Sequence, residues 1–416
     1  MKALAPLVVL VGASMLAAQP TGASTAKGHS LAWRIWPSAT PGGSANIVDV
    51  VAMPQKQAWA VGFTAPDVGG FGTVALHEAD GRWIRVRTPN PDPVSNRLDS
   101  VDGVASNDLW AVGSRQSGDD GTLVEHWNGM AWSVVPSPSP HHRFSWLDGV
   151  SVASESDAWA VGASQSYSGS STKSLIEHWD GRRWAIVPSP NPGDYNFLLD
   201  VSARSATDAW AVGSSYDAAG AHNLVMHWDG AKWATVRAPS PGQEDNTLES
   251  VITLDPHDAW AVGNSADHGV SSRTPTTLHW DGNTWDLVRS PALSGQLNDV
   301  AAERNGRLWA VGYREVPPKT LVERWDGSVW RVVSSEDPSG SEFGGLFGVA
   351  VGRGSGTTWA VGSAATTGSA LRTLIERPCR EGLAPASRRV VIRSRRWRTT
   401  RSSRTGYASW QPASPG

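Results

Sequence analysis

Between Phe197 and Pro241 the chain alternates short apolar runs with turn residues, and the pattern predicts strands. Leu198-Leu199-Asp200-Val201-Ser202 reads as one strand, Ala206-Thr207-Asp208 as a turn, and Ala209-Trp210-Ala211-Val212-Gly213 as a second strand. A polar, glycine-containing loop is expected up to Asn223. Residues 224–228 give a third strand, Asp229-Gly230 a hairpin turn in which glycine takes positive φ without a steric penalty, and residues 233–236 a fourth. Pro239-Ser240-Pro241 ends it. Four antiparallel strands in about 50 residues make one blade of a β-propeller.

The unit repeats. Trp-Ala-Val-Gly occurs at Trp59, Trp110, Trp159, Trp210, Trp260, Trp309 and Trp359, in steps of 51, 49, 51, 50, 49 and 50 residues. The expected fold class is all-β, a seven-bladed β-propeller of four-stranded antiparallel blades. Side chains alternate across a strand, so Trp210 and Val212 share one face and Ala211 and Gly213 the other. A Trp of one blade can then fill the recess over Ala and Gly of the next. A second Trp pair flanks the Asp/Asn-Gly hairpin, as in Trp127 and Trp132 or Trp228 and Trp233. In the first repeat Ala79 stands in for the leading Trp and the turn to Trp83 is one residue shorter. These positions, with Trp33, absorb nineteen of the 23 tryptophans. Tryptophan abundance is therefore structural, and Trp36, Trp146, Trp397 and Trp410 are left over.

Residues 33–38 match a fourth strand with no first three before it, and residues 346–377 supply three strands with no fourth. The N-terminal strand is expected to complete the last blade and close the ring. Lys2 followed by an apolar run and a small-residue stretch predicts a secretory signal over 1–26. The propeller then covers 27–377. Residues 378–416, with nine arginines against the single acid Glu381, form a basic tail. That tail reads either as a grip on an anionic envelope polymer or nucleic acid, or as the product of a shifted reading frame. The second is preferred, so no nucleic-acid partner is expected.

The chain has 43 Gly and 27 Pro, which suits many turns and little helix, and one cysteine, Cys379, which allows no internal disulfide. No membrane span is expected, and the protein is read as a secreted or envelope-associated monomer.

Written out, the unit is Asp-Ala-Trp-Ala-Val-Gly, a loop, Leu-Ile-Glu-His-Trp-Asp-Gly-x-x-Trp-x-x-Val and Ser-Pro-x-Pro. It resembles the kelch repeat over residues 31–377, with one Gly where kelch has two. The resemblance implies a propeller of the galactose oxidase central-domain type, whose members are mostly interaction modules. The oxidase copper site, which needs a Tyr crosslinked to Cys, is excluded because Cys379 lies in the tail. No cofactor or metal is expected.

Repeated polar residues read as scaffold. Asp108, Asp157, Asp208 and Asp258 precede the second strands and are expected to cap turns. His126, His178, His227 and His279 hold one position, with Glu78, Arg324 and Arg377 as its counterparts elsewhere, and are read as packing and hydrogen-bonding residues. Asp49, Asp200 and Asp299 share a place on the innermost strands with Ser100, Gly149, Ser250 and Gly348. A glycosidase needs two facing carboxylates, but a solvated channel lining is the favoured reading of these.

Loop residues that break the repeat are the candidate site: His141, His142, Phe144 and Trp146, with Tyr167, Tyr195 and Tyr216 on the same face. An aromatic and histidine patch can stack on a sugar or anchor a protein. The leading expectation is non-enzymatic binding of a protein or cell-surface glycan through this face. The alternatives are a carbohydrate-active hydrolase or lyase in the central channel, and a structural cell-envelope protein.

Overall fold

A computed structural model describes residues 31–38, 44–54, 57–64, 70–116, 121–140, 143–270, 272–338, 343–352, 356–365 and 370–380. The expected signal segment, nearly all of the expected tail, and His141 and His142 lie outside the described residues.

The described residues form five four-stranded sheets and one eight-stranded sheet. In the unit read above, Tyr195–Ser205, Asp208–Asp217, Gly220–Trp228 and Trp233–Thr235 pair antiparallel in chain order. The polar loop expected up to Asn223 is instead mostly strand. Ser214, Ser215 and Tyr216 pair with Asn223, His222 and Ala221, because ladder bonds are made by the backbone and need no apolar side chains where a strand end faces water. The eight-stranded sheet consists of this set and the one before it, joined by the single parallel pairing Thr172↔Tyr195.

Packing between sheets follows the large-on-small expectation. Trp159 and Val161 sit against Ala209 and Ala211 of the next set, and Trp210 and Val212 against Ala259 and Ala261. Trp359, from the last repeat, packs with Ala58 and Ala60 of the first. Trp59, Trp110, Trp159, Trp210 and Trp260 also meet the hairpin Trp pair of the next sheet. Trp159 lies 4.9 Å from Trp228 and 5.2 Å, edge-on, from Trp233, which are 5.9 Å from each other. Edge-to-face and tilted geometries at these separations are the favourable ones for aromatic rings.

The first repeat departs from the sequence reading. His77, not Glu78, occupies the repeated histidine place, pairing with Trp59 and stacking on it at 4.4 Å. Glu78 takes the place of the leading hairpin Trp, opposite Trp83, and its Oε1 accepts the Gly81 N–H at 2.8 Å. With Glu78 in the leading place the step to Trp83 is five residues, as from Trp127 to Trp132, so the turn is not shortened; Asp80 and Gly81, both at positive φ, close it between the paired Ala79 and Arg82.

Leu31–Ile35 pairs antiparallel with Arg372–Arg380. That strand runs three residues past Arg377, where the repeat motif stops, since Ala32 and Leu31 pair with Cys379 and Arg380. Trp33 is fully buried against Trp309 at 5.1 Å. Trp36, left over from the repeat, is scaffold too. It meets Trp359 edge-on at 5.8 Å, and Arg377 covers its ring at 4.7 Å.

Candidate functional site

The first strand of every repeat contains a β-bulge at one place, as between Ile47 and Asp49, Leu98 and Ser100, or Leu198 and Asp200. The same irregularity recurs at Leu147/Gly149, Leu248/Ser250, Leu297/Asp299 and Leu346/Gly348. Opposite each bulge stands the glycine of Trp-Ala-Val-Gly. A Cβ on Gly213 would lie 2.0 Å from the Phe197 carbonyl oxygen, so only glycine lets the bulged backbone pass. The single repeated glycine thus exists for the bulge.

A bulge adds one residue and re-aims a side chain. The added residues are Val48, Asp99, Asp148, Leu199, Glu249, Asn298 and Phe347, and all of them line a central well of about 440 Å³. Their neighbours Asp49, Ser100, Asp200, Ser250 and Asp299 form its floor.

The floor is an inter-sheet hydrogen-bond belt. Asp49 Oδ2 accepts the Ser100 hydroxyl and the Val101 N–H, both at 2.8 Å, from the next sheet. Asp200 Oδ2 accepts the Ser250 hydroxyl and the Val251 N–H, both at 2.9 Å. Asp299 Oδ1 lies 2.7 Å from the same Ser250 oxygen, which has a single proton to share between the two carboxyls, and Asp299 Oδ2 accepts the Val349 N–H at 2.6 Å. Glycine fills the places where an aspartate backbone comes close, since a Cβ on Gly149 would lie 2.8 Å from Asp200 Cα and one on Gly348 2.9 Å from Asp49 Cα. Burial, with Asp299 adding to it, pushes Asp49 up to about 8, and burial pushes Asp200 and Asp299 up to about 7. Both oxygens of each of these three carboxyls are hydrogen-bonded within the protein, the second one to the N–H of Val50, Val201 or Val300. Asp200→Ala is expected to cost about 1–3 kcal/mol in urea unfolding, because the Val251 N–H loses its acceptor, and Asp200→Asn less than half of that. Equal losses would show that the carboxylate charge, not its acceptor oxygen, matters.

The wall carries different chemistry. Arg97 donates to Asp99 through Nε at 2.7 Å and lies over Phe63 at 4.8 Å. The Trp146 side chain hydrogen-bonds Asp148, whose carboxyl is held well above the usual range by burial and then by Asp99. Glu249 Oε1 accepts Gln296 Nε2 at 3.0 Å and Asn264 Nδ2 at 3.3 Å, and burial raises its carboxyl to about 7. Tyr313 donates to Gln296 at 3.2 Å, and Asn298 donates to the Leu346 carbonyl at 2.7 Å.

Aromatic residues rim the mouth. All six phenylalanines lie at this end of the strands: Phe63, Phe71, Phe144, Phe197, Phe343 and Phe347. Four of the five tyrosines join them. Phe144, Trp146, Phe197 and Tyr216 make a run with ring centres 5.2, 6.3 and 6.1 Å apart. Tyr195 pairs with Tyr216 across the strands. Tyr167 is 62% exposed and stands apart.

Of the site residues read from sequence, the fold thus gathers Phe144, Trp146, Tyr195 and Tyr216. The sequence reading missed Phe197 and Phe347, and with them the wall acids Asp99, Asp148 and Glu249. A signal for these existed: their place in the repeat is constant while their side-chain type is not.

The repeated histidines sit at the opposite end of the strands. His126, His178, His227 and His279 contact Asp108, Asp157, Asp208 and Asp258 at 2.6, 2.7, 2.8 and 3.0 Å. The aspartates therefore hold a side chain on the third strand, where a turn cap was expected. Among the described residues no group of three or more His, Cys, Asp or Glu could hold a metal, and no helix is long and apolar enough to cross a membrane.

No family model matches the chain, and no curated protein sequence matches it. Solved structures do. "YCF48 bound to D1 peptide" is 16% identical, with 82% of this chain and 94% of that one covered and a TM-score of 0.50. A Dyadobacter fermentans protein of unknown function is 11% identical, with 83% and 97% covered and a TM-score of 0.51. A lectin of Aleuria aurantia, described as a six-bladed β-propeller, is 10% identical, with 83% and 91% covered and a TM-score of 0.41. The four-stranded antiparallel sheets, packed face to face with the last repeat returning onto the first, make the fold a β-propeller of four-stranded antiparallel blades.

Proposed function

We propose that this is a secreted, non-enzymatic binding propeller that holds a protein or glycan ligand at the aromatic mouth. Its eight-stranded sheet counts as two blades, which brings the kelch-like ring to seven, and Leu31–Ile35 closes it as the outer strand of the last blade. The export signal is proposed from residues 1–26 alone.

One observation carries the reading. Tryptophan is spent on the seams, while phenylalanine and tyrosine collect at one end, around a well whose lining differs from blade to blade. A scaffold position repeats its residue type, whereas a recognition position on the same backbone need not. The hydrolase alternative loses support because Asp49, Asp200 and Asp299 are engaged by backbone N–H groups of the next sheet. The YCF48 structure is described with a bound peptide, so a fold of this kind is compatible with a chain as ligand.

Peptide and glycan arrays probed with the purified protein test the proposal. Trp146→Ala and Tyr195→Ala are expected to abolish capture of whatever ligand scores; exposed Tyr195 should move Tm by about 2 °C or less, while Trp146→Ala, which also strips a hydrogen bond from the Asp148 carboxyl, should cost about 1–3 kcal/mol. Undiminished capture by both variants would refute the mouth as the site.

A further inference from the structure

Resting on that reading, we propose that the ligand held at the well is a neutral glycan, one sugar unit of which is hydrogen-bonded by the Gln296 and Asn298 amides and covered by the rings of Tyr313, Phe343 and Phe347.

The amides form a fixed pair. Gln296 and Asn298 lie two residues apart on the strand Gln296–Ala302, both are half-buried, and both line the well. Gln296 Nε2 donates to Asn298 Oδ1 at 2.6 Å and to Glu249 Oε1 at 3.0 Å, which holds the two side chains in place. Bonding capacity remains. An amide oxygen has two lone pairs, and among the described residues Gln296 Oε1 accepts once, from Tyr313 at 3.2 Å, and Asn298 Oδ1 once, from Gln296. Asn298 Nδ2 places one proton on the Leu346 carbonyl at 2.7 Å and keeps a second. Two acceptors and a donor, all uncharged, thus stand together on one wall.

Rings flank them. Tyr313 pairs with Gln296 across the ladder, its ring centre is 6.1 Å from that of Phe343, and Phe347 lines the same wall. A Cβ on Gly345 would lie 3.2 Å from Phe343 Cζ and 3.4 Å from Phe347 Cζ, so both rings lean over this glycine, and all three aromatic residues are partly exposed. A ligand has to satisfy amides and rings together. An aliphatic side chain would cover the rings and leave the amides unbonded. A charged one would meet no uncommitted counter-charge, because Arg97 is held by Asp99, Arg273 lies against Asp245 and Glu315, and burial shifts Asp148 and Glu249 toward their neutral forms. A pyranose has both surfaces in one rigid unit. Its C–H face covers an aromatic ring, and each hydroxyl both donates and accepts, as the amide pair requires.

Calorimetric titration of the full chain with hexasaccharides tests this. Of cello-, xylo-, manno-, malto- and N-acetylchitohexaose, at least one is expected to bind with a Kd of about 1 mM or tighter, and about tenfold more tightly than hexagalacturonate or the glucosamine hexamer. That affinity should hold within about twofold between about 0.05 and 0.5 M NaCl, since no charge pair is formed. Gln296→Leu, which removes the amide and keeps most of the volume, is expected to weaken the best binder about tenfold, and Phe347→Leu severalfold, both read below their unfolding transitions. Preference for a charged hexamer, no neutral binding at about 10 mM, or indifference to both variants would overturn the proposal. A Trp146-dependent peptide from the array, with every hexasaccharide silent, would overturn it too, yet leave the mouth as the binding site.

Discussion

Trp210→Ala is expected to destabilise the fold by about 3–5 kcal/mol, the range for deleting a fully buried large aromatic. Trp210 is 2% exposed and bridges two blades. It touches Leu248, Ala259 and Ala261 of the next sheet and lies 5.0 and 5.2 Å from Trp280 and Trp285. The cavity cannot close by local collapse, because Ala261 opposite is already small and both walls are sheet backbone. Urea unfolding at constant m-value measures the loss. A cost below about 1 kcal/mol would mean that the seams do not depend on this Trp.

The second large effect is loss of stability at alkaline pH. Glu125, Glu177, Glu323 and Glu376 lie opposite the alanine of Trp-Ala-Val-Gly, at 0% exposure, where other repeats have Met226, Leu278 and Leu76. The place is an apolar seam. Ser137 and Ser290 each donate one hydroxyl, to Glu177 and Glu323 at 2.7 Å, while both oxygens of Glu125 have no partner among the described residues. Burial pushes Glu125, Glu177 and Glu376 up to about 8 and Glu323 up to about 7, from 4.5.

The folded state therefore keeps protons that the unfolded chain releases. Stability from these groups is full below about pH 4.5 and falls as pH rises through about 7–8, levelling above that. Asp49, Asp200 and Asp299 in the channel floor act in the same direction. Unfolding free energy is expected to drop by several kcal/mol between about pH 6 and pH 9. Glu125→Gln should restore roughly 2–4 kcal/mol of that at about pH 9 and change little at about pH 5. A flat profile, or a glutamine variant that destabilises equally at both values, would contradict the assignment.

The scaffold was legible because its devices recur. The Trp-Ala-Val-Gly spacing, the Asp/Asn-Gly hairpins and the stray strand around Trp33 all state a period, and each is met in the ladders and seams. The well was less legible, since a bulge is a property of two strands and leaves no local mark in one. Asp148 sits one residue before Gly149 in an otherwise ordinary strand, and nothing in Trp146-Leu147-Asp148 says that an extra residue turns into the channel. The aromatic rim was half visible. Phe144 and Trp146 stood out beside His141 and His142, whereas Phe197 only opened the repeat unit and Phe347 fell among the three strands read from residues 346–377.

Paired measurements on Trp146→Ala and Trp210→Ala test the division of labour between seam and mouth most directly. Ligand capture and urea unfolding are read on both proteins. The account predicts that Trp146→Ala loses capture at a stability cost of about 1–3 kcal/mol, the hydrogen bond to Asp148 going with it, and that Trp210→Ala loses about 3–5 kcal/mol yet captures normally below its unfolding transition. Capture retained by Trp146→Ala, or lost by folded Trp210→Ala, would contradict it.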